Sequence, residues 1–423
     1  MSEAAVARAR SDDRVPDGAA QWEARDPVSA READAVHGVS HPVEVSRPVE
    51  TPPRRTDVAL LRITLCAAII LLHALSIFSA EPIYHLKSAL PSTAASVLAE
   101  FLRITAVPLF FVLAGWSAMA SLRARSPGDF VRERVSRLLV PLCVGSALFG
   151  SAIKYIELSH GRDIGFHGFR LAHPLHSGFF AFFPHNLMRI NQMTWSHLWF
   201  LAYLFLISML LLPLVMRLAR TIPRIDVPAA PVVYVPALVM AALLAVFNGY
   251  WPYLPNLYTD WTNFAYFALC FALGVGLAAW PGFEARLHAE TPRLVLLTLV
   301  AYAGVVLCGQ TMAGRALVAL TAWGAIGTAL GVAGRIKLRP SPAFDYLGEA
   351  TLPVFVLHHL PALLLGVALL PLALPAWLKI AVIWLAAGAV SLAAYHWLIR
   401  PWPPMRWSMG LDAAPPSRRR CGQ

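Results

Sequence analysis

From residue 58 onward the chain alternates between long apolar stretches and short polar connections. About 20 apolar residues suffice for a helix to cross the hydrocarbon core of a bilayer, and ten stretches reach or approach that length. The stretches cover residues 58–79, 97–122, 138–156, 197–216, 231–248, 262–280, 293–309, 315–333, 350–369 and 377–399. None shows the period of two that a membrane-spanning strand requires. The pattern therefore predicts an all-α, polytopic integral membrane bundle of about ten helices.

The two ends of the chain carry no such stretch. Residues 1–56 combine many charges with scattered prolines and lack an apolar run, a composition typical of a disordered tail. Residues 401–423 are short and basic. The sequence thus predicts three parts, namely a disordered tail over 1–56, a membrane domain over 57–400 and a basic tail over 401–423.

Composition and charge exclude several classes of protein. Apolar residues make up 57% of the chain and charged residues 14%, whereas soluble domains average about 45–50% and about 25%. The net charge of +11 does not indicate nucleic acid binding, because residues 1–57 are net acidic and the excess of basic residues falls in the membrane part. Five cysteines without C-x-x-C spacing argue against a disulfide framework or a zinc site. A G-x-x-x-x-G-K-[ST] loop for ATP is also missing from the sequence.

The distribution of basic residues predicts the orientation. If the N-terminus lies inside, the cytoplasmic connections and the C-terminal tail hold 18 Lys and Arg residues, against 8 on the opposite side. Basic residues concentrate on the cytoplasmic side of membrane proteins. We therefore expect both termini in the cytoplasm and the protein in the cell membrane of a bacterium.

Arg62 and His73 are the first candidates for chemistry, because ionisable residues inside a span are costly and often functional. Eleven residues correspond to three helical turns plus about 20°, so both side chains are expected on one face, about 16 Å apart along the axis. A cation near the cytoplasm suits a phosphate-bearing donor, and a deeper histidine can accept a proton from a hydroxyl. The alternative is a snorkelling arginine and a structural histidine.

A second candidate pair, Arg134 and Arg137, precedes the third span at the predicted cytoplasmic boundary. On an α-helix the two residues share a face, and two guanidinium groups there can bind the phosphates of a nucleotide. Anchoring of the helix by positive charge is the simpler alternative.

A third group comprises His197 and Trp199 at the outer end of the fourth span, with His358 and His359 deep in the ninth. Histidines at these depths can line one cavity with His73. Alternatively, Trp199 belongs to an interfacial aromatic belt and the deep histidines are packed polar residues.

The longest external connection, residues 157–196, is rich in histidine and aromatic residues. Its histidines are His160, His167, His173, His176 and His185. Their spacing lacks the i,i+4 pattern of helical zinc sites. An interfacial loop without a metal is therefore the favoured interpretation.

Several motifs occur together, in an order that resembles the family-3 membrane acyltransferases, and within them the branch that modifies glucans. The motifs are Arg62-x10-His73, PLFFVLAG at 108–115, Arg134-x-x-Arg137, HLWFL at 197–201 and YLGEATLP at 346–353. The resemblance extends from about residue 57 to about residue 411. It implies a ten-helix enzyme that transfers an acyl group, acetyl or succinyl, from cytoplasmic acyl-CoA to a hydroxyl of an extracytoplasmic carbohydrate.

The same resemblance implies roles for single residues. It makes His73 the catalytic base and Arg62 a second catalytic residue, and it implies that Arg62, Arg134 and Arg137 hold the donor or shape its channel. His358 matches a histidine of the family's ninth span. His197 and Trp199 are the further candidates for substrate binding. Acyl-CoA is then a substrate, and no permanently bound cofactor is expected.

The chain departs from the family pattern at three positions. Ala59 stands where the family often has aspartate, Ala114 where it often has serine, and His396 where a glutamate is common. These differences leave the arginines and His73 in place. A transporter or flippase for an anionic or glycolipid substrate is the alternative function, because intramembrane His and Arg residues can also bind such a substrate.

Overall fold

A computed structural model describes residues 55–165, 168–187, 194–251 and 253–413. Residues 1–54 of the predicted disordered tail and residues 414–423 of the C-terminal tail lie outside the described residues. The α-helices are α1 (Thr56–Phe78), α2 (Thr93–Ala124), α3 (Pro127–Arg134), α4 (Val140–Gly145), α5 (Ser151–Ser159), α6 (Phe179–Leu187), α7 (Trp199–Leu210), α8 (Leu212–Ala219), α9 (Val235–Phe247), α10 (Trp261–Ala279), α11 (Pro281–Ala289), α12 (Thr291–Cys308), α13 (Met312–Arg335), α14 (Pro342–Leu357), α15 (His359–Leu369), α16 (Ala376–Ala394) and α17 (Pro403–Ser408).

Other regular segments connect or interrupt these helices. They are π-helical turns at Val135–Leu139, Ser146–Gly150 and Tyr395–Ile399, 3₁₀ turns at Ser196–Leu198 and Ala230–Tyr234, and strands β1 (Arg162–Gly165) and β2 (Gly168–Leu171). The two strands form an antiparallel hairpin in the long connection after α5. Each π-helical turn continues an α-helix, so the third and tenth spans remain continuous.

Within the described residues, eight helices are long and apolar enough to cross a membrane, and two bent helix pairs raise the number to ten. Every one of the ten predicted stretches overlaps one of these spans. The prediction of an all-α, multi-pass membrane bundle is therefore confirmed.

The fourth and ninth spans are broken, which the hydropathy pattern did not predict. The axes of α7 and α8 differ by 56°, and those of α14 and α15 by 57°. A proline inside a helix lacks an N–H donor and clashes with the carbonyl four residues earlier. Pro213 and Pro361 lie just after the two breaks, so the carbonyls of Met209 and Leu357 lose their helical hydrogen bonds and the proline rings favour a bend there.

Glycines allow the helices of the core to approach closely. A Cβ atom on Gly274 of α10 would lie 1.9 Å from the carbonyl oxygen of Val112, and one on Gly115 of α2 would lie 1.9 Å from that of Phe271. The eighth span shows the same close approach, because a Cβ on Gly331 would lie 2.0 Å from Thr291 Oγ1 of α12. Side chains at these positions would force the helices apart.

Helix α1 occupies the centre of the bundle. It packs against α2, α13, α14, α15 and α16. At its C-terminal end Lys87 Nζ donates hydrogen bonds to the carbonyl oxygens of Ser76 (2.6 Å) and Ser79 (2.5 Å), and so binds carbonyls that have no partner within the helix. Burial and the nearby charge of Arg162 lower the pKa of Lys87 to about 8. These bonds fix the connection that follows α1, including Tyr84 and His85, against the end of the helix.

Candidate active site

A partly open cavity of about 1200 Å³ lies at the end of the bundle where α1 terminates. It is bordered by the last turns of α1, the middle of α2, the start of α7 and the connections around the β-hairpin and after α9. Among the predicted site residues, His73, His197 and Trp199 line it. If the predicted orientation holds, this cavity faces the extracytoplasmic side.

Four histidine rings cluster beside this cavity, and three of them, His73, His197 and His359, line it. The centroid of the His73 ring lies 4.2 Å from that of His359, 5.1 Å from that of His358 and 5.9 Å from that of His197. The break of the ninth span brings His358 and His359 to this point, and the 3₁₀ turn before α7 brings His197. The structure therefore brings these histidines together with His73.

The structure assigns different positions to the two neighbouring histidines of the ninth span. His358 is fully buried, and its Nδ1 lies 2.8 Å from the carbonyl oxygen of Phe355 in its own helix. His358 is not among the described residues that line the cavity, whereas His359 is. The sequence-based choice of His358 over His359 as a substrate-binding residue therefore receives no support from the geometry, because a break between them turns His359 toward the cavity.

A chain of short polar contacts runs through the cluster. Tyr84 Oη lies 3.1 Å from both His73 Nδ1 and His359 Nε2. His359 Nδ1 lies 2.9 Å from Ser196 Oγ and 3.0 Å from His197 Nδ1. Ser196 adopts a φ of 43°, a left-handed conformation that is uncommon outside glycine. Such strained residues concentrate at functional sites.

The chain of contacts continues from Ser196 to a buried ion pair. Ser196 Oγ lies 3.0 Å from His85 Nε2, and His85 Nδ1 lies 2.5 Å from Glu157 Oε2. The other oxygen of Glu157 accepts a hydrogen bond of 2.5 Å from Lys154 Nζ. Lys154 also contacts Asp163 on β1 at 2.5 Å, and although burial raises the pKa of Asp163, the hydrogen bonds and charges of Lys154 and Arg170 hold it below its ordinary value.

Sequence reasoning missed Tyr84, His85, Glu157 and Ser196. The one usable signal was Glu157, an acid at the end of a span with a lysine three residues earlier, because ionisable residues in spans are rarely incidental. Tyr84, His85 and Ser196 lie in connections. No periodicity marks such residues, so their role depends on how the connections fold back.

The far wall of the cavity combines aromatic rings with amide and charged groups. Trp199 is half-buried and packs edge-on against Tyr253, with ring centroids 6.0 Å apart. Arg103 pairs with Glu100 and lies over the Tyr253 ring, 5.4 Å from its centroid. The amides of two asparagines, Asn256 and Asn263, also border this space. The position of Trp199 favours a role in the cavity over the interfacial belt.

The predicted donor-binding arginines lie near the opposite end of α1. Arg62 Nη2 donates a hydrogen bond to Ser117 Oγ of α2, and Arg134 lies within electrostatic range of both Arg62 and Arg137. The guanidinium group of Arg134 lies over the Phe130 ring, 4.8 Å from its centroid. The structure therefore brings the three arginines into one region.

The helical face predicted for Arg134 and Arg137 is modified by a π-helical turn that begins directly after Arg134. Arg137 pairs with Glu133, four residues earlier, at 3.3 Å, while Arg134 stacks on an aromatic ring. The buried Nε of Arg134 has no hydrogen-bond partner within the part of the chain that the structure describes. π-helical turns are frequent at functional sites.

The departures from the family pattern have structural counterparts. Ala59 lies at the end of the first turn of α1, where the family often has aspartate. Without a carboxylate at that position, Arg62 donates a hydrogen bond to Ser117 Oγ. The side chain of His396 lies in the π-helical turn of the tenth span, and its Nδ1 is 3.2 Å from Tyr346 Oη. Ala114 is buried on α2, close to the glycine contact with α10.

Two histidines of the long external connection bond to the backbone nearby. His160 Nδ1 and His185 Nδ1 lie 2.7 Å and 3.1 Å from backbone carbonyl oxygens one turn earlier in their own helices. His167 lies outside the described residues. In the described ranges no group of three or more His, Cys, Asp or Glu side chains is arranged to hold a metal ion.

Comparisons with known proteins bear on the whole membrane domain. A family model described as an acyltransferase domain, that of acyltransferase family 3, matches residues 55–396. No curated protein and no solved structure matches the chain. The matched region includes α1 with Arg62 and His73, and it reaches the last span. Since this region makes up most of the sequence, the chain belongs to acyltransferase family 3 and is a multi-pass membrane acyltransferase.

Proposed function

We propose that this protein transfers an acyl group, acetyl or succinyl, from acyl-CoA in the cytoplasm to a hydroxyl of a carbohydrate outside, such as a glucan. One observation carries the proposal. A cluster of arginines lies near the N-terminal end of α1, and the cavity lined by His73 lies near its C-terminal end. Arg62 and His73 are separated by about 16 Å along that helix. A long, flexible donor bound at the arginines can therefore extend its thioester toward His73.

The donor end supports binding of a phosphorylated molecule. Arginine binds phosphate in a planar, bidentate geometry, and three arginines, Arg62, Arg134 and Arg137, lie close together there. The buried Nε of Arg134 lacks a partner among the described residues. A donor phosphate would satisfy this N–H group, whose burial is otherwise costly.

The acceptor end supports binding of a sugar. Trp199 and Tyr253 present aromatic surface to the cavity, and Asn248, whose buried Oδ1 atom has no hydrogen-bond partner among the described residues, also borders it. Binding sites typically combine apolar walls with a few placed polar groups. A sugar ring has apolar C–H faces and peripheral hydroxyls, and it fits this combination.

In the proposed reaction His73 acts as the general base. Its neutral imidazole takes the proton of the acceptor hydroxyl while the oxygen attacks the thioester carbonyl carbon. The C–S bond then breaks, and the CoA thiolate receives the proton from the imidazolium. The thioester supplies the free energy, and the chemistry requires no further cofactor.

The test uses membrane vesicles that enclose an oligosaccharide acceptor and carry the cytoplasmic face outward. Labelled acetyl-CoA or succinyl-CoA is added outside, and label on the enclosed carbohydrate is measured for wild type, His73→Ala and His160→Ala. His160 is the matched control, because its ring bonds to a carbonyl of its own helix and is not among the described cavity residues. We expect transfer by wild type and His160→Ala, and a loss of about 10²–10⁴-fold in His73→Ala, the range for a general base.

Two results would contradict the proposal. Equal transfer by wild type and His73→Ala, at equal amounts of folded protein, would remove His73 from the chemistry. Export of the enclosed oligosaccharide from the vesicles without acylation would favour the transporter instead.

A further inference from the structure

A neutral histidine has one N–H group and one nitrogen with a free lone pair, and the partners of the ring decide which nitrogen is which. His197 has fixed partners. Its Nε2 lies 3.0 Å from the carbonyl oxygen of Phe355 and 3.2 Å from that of Val356. Both carbonyls belong to the last turn of α14, where helix carbonyls have no intrahelical partner. Because a carbonyl can only accept, Nε2 of His197 carries the proton and Nδ1 is the acceptor.

This assignment propagates through the contacts toward His73. His197 Nδ1 accepts from the nitrogen that faces it 3.0 Å away, so His359 Nδ1 carries a proton. His359 Nε2 is then an acceptor, and the Tyr84 hydroxyl donates to it. The oxygen of Tyr84 in turn accepts from His73 Nδ1–H. The remaining nitrogen of His73, Nε2, is left without a proton.

A second branch, which starts from a carboxylate, gives the same result. Glu157 accepts the proton of His85 Nδ1, so in a neutral His85 ring Nε2 accepts a hydrogen bond from the Ser196 hydroxyl. The oxygen of Ser196 then accepts from His359 Nδ1–H, so this one N–H group is shared between Ser196 Oγ and His197 Nδ1 in a three-centre hydrogen bond. Two independent anchors, a pair of backbone carbonyls and a buried carboxylate, therefore impose one tautomer on His359.

We propose that a hydrogen-bond chain through Tyr84 and His359 holds His73 in the tautomer whose Nε2 is unprotonated and can serve as the base. This inference rests on the proposed function of His73. In it Tyr84 and His359 are positioning residues, which act on the acceptor through His73. Burial raises the pKa of Tyr84 well above its ordinary value, so its hydroxyl keeps the proton that the chain needs.

The consequence for catalysis is specific. If the chain is cut, either nitrogen of His73 can carry the proton, and a ring with its proton on Nε2 cannot accept one there. The imidazole is still present and the cavity keeps its shape. We therefore expect the loss to appear in kcat, while KM for donor and acceptor changes little.

Three variants test this inference in the vesicle assay described above. Tyr84→Phe removes the hydroxyl that links the two rings and keeps the aromatic ring. His359→Leu removes the acceptor for that hydroxyl. In His359→Gln the amide oxygen can take the place of Nε2 and accept from Tyr84, but the side chain cannot carry a proton between partners. Tyr395→Phe is the control, since that buried hydroxyl has no hydrogen-bond partner among the described residues.

We expect kcat to fall by at least about tenfold in Tyr84→Phe and His359→Leu, part of the 10²–10⁴-fold contribution of a general base. His359→Gln should keep kcat within about fivefold to tenfold of wild type, because it loses one neutral hydrogen bond of about 1 kcal/mol. Tyr395→Phe should match wild type. If His359 had only a structural role, His359→Gln and His359→Leu proteins of equal thermal stability would have the same kcat.

Failure of this inference can be separated from failure of the proposed function. If His73→Ala is inactive while Tyr84→Phe and His359→Leu both keep wild-type kcat, the base stands and the hydrogen-bond chain is refuted. If His359→Gln loses as much kcat as His359→Leu in folded protein, positioning by an acceptor is also refuted. If wild type itself transfers no acyl group, the proposed function fails first. If Tyr84→Phe does not fold, the kcat values of His359→Gln and His359→Leu still test whether an acceptor at position 359 is required.

Discussion

The contact between α2 and α10 gives a prediction that depends on geometry alone. Gly274 and Gly276 lie on the same helix, two residues apart. A Cβ atom on Gly274 would lie 1.9 Å from the carbonyl oxygen of Val112 and 2.9 Å from the nitrogen of Trp116, whereas one on Gly276 would meet no atom within 4 Å. Alanine should therefore have opposite effects at the two positions.

The expected magnitude follows from the required displacement. Ordinary van der Waals contact begins at 3.4 Å, so Gly274→Ala must move backbone against backbone by about 1.5 Å, and no side chain can rotate away. Overpacking of this kind costs about 1–3 kcal/mol or more. Gly276→Ala removes backbone entropy from the unfolded chain without a clash, and it is expected to stabilise by up to about 0.5–1 kcal/mol.

The assay is the apparent melting temperature of purified protein in one detergent, with scan rate and concentration held constant. For chains of 150–250 residues 1 kcal/mol corresponds to about 2–4 °C, and this larger chain should show no more than that. We expect Gly274→Ala to melt several degrees below wild type and Gly276→Ala at or slightly above it. Equal melting temperatures for the two variants would refute the close approach of α2 and α10.

Two further predictions concern the donor site and the orientation. Arg134→Gln should raise KM for acyl-CoA at least tenfold, because a charged hydrogen bond contributes about 1.5–3 kcal/mol. The control Arg132→Gln should match wild type, since Arg132 is exposed and bonds to Asp129 on its own helix. Equal KM values for the two variants would contradict phosphate binding at Arg134. In a background without other reactive cysteines, an impermeant maleimide should label Ile222→Cys from the cytoplasmic side and Tyr258→Cys from the opposite side. Both positions are exposed in the structure, and the reverse pattern would overturn the orientation predicted from the basic residues.

Much of the fold could be predicted from the sequence because it depends on local properties. A backbone in hydrocarbon must satisfy its own hydrogen bonds, so a long apolar stretch becomes a helix wherever it lies in the chain. For the same reason the sequence predicts that Arg62 and His73 lie about three turns apart on α1. Spacing along one helix does not depend on how other helices pack.

The breaks of the fourth and ninth spans were partly readable. Pro213 and Pro361 are visible in the sequence, but proline is tolerated in membrane helices, and Pro108 lies inside α2 without ending it. Whether a proline bends a helix depends on the neighbours that satisfy the freed carbonyls. At the ninth span one of these neighbours is His197, which binds the carbonyl oxygens exposed by the break.

What the sequence determined by itself is therefore a multi-pass bundle with a histidine and an arginine on its first helix. The tertiary structure decided which other groups meet His73. Tyr84 and His359 are 275 residues apart in sequence, and their contact of 3.1 Å arises because the connection after α1 folds back under the broken ninth span. A hydrogen bond requires placement within a few tenths of an ångström. Hydropathy and spacing along one chain contain no information at that precision about residues on different helices.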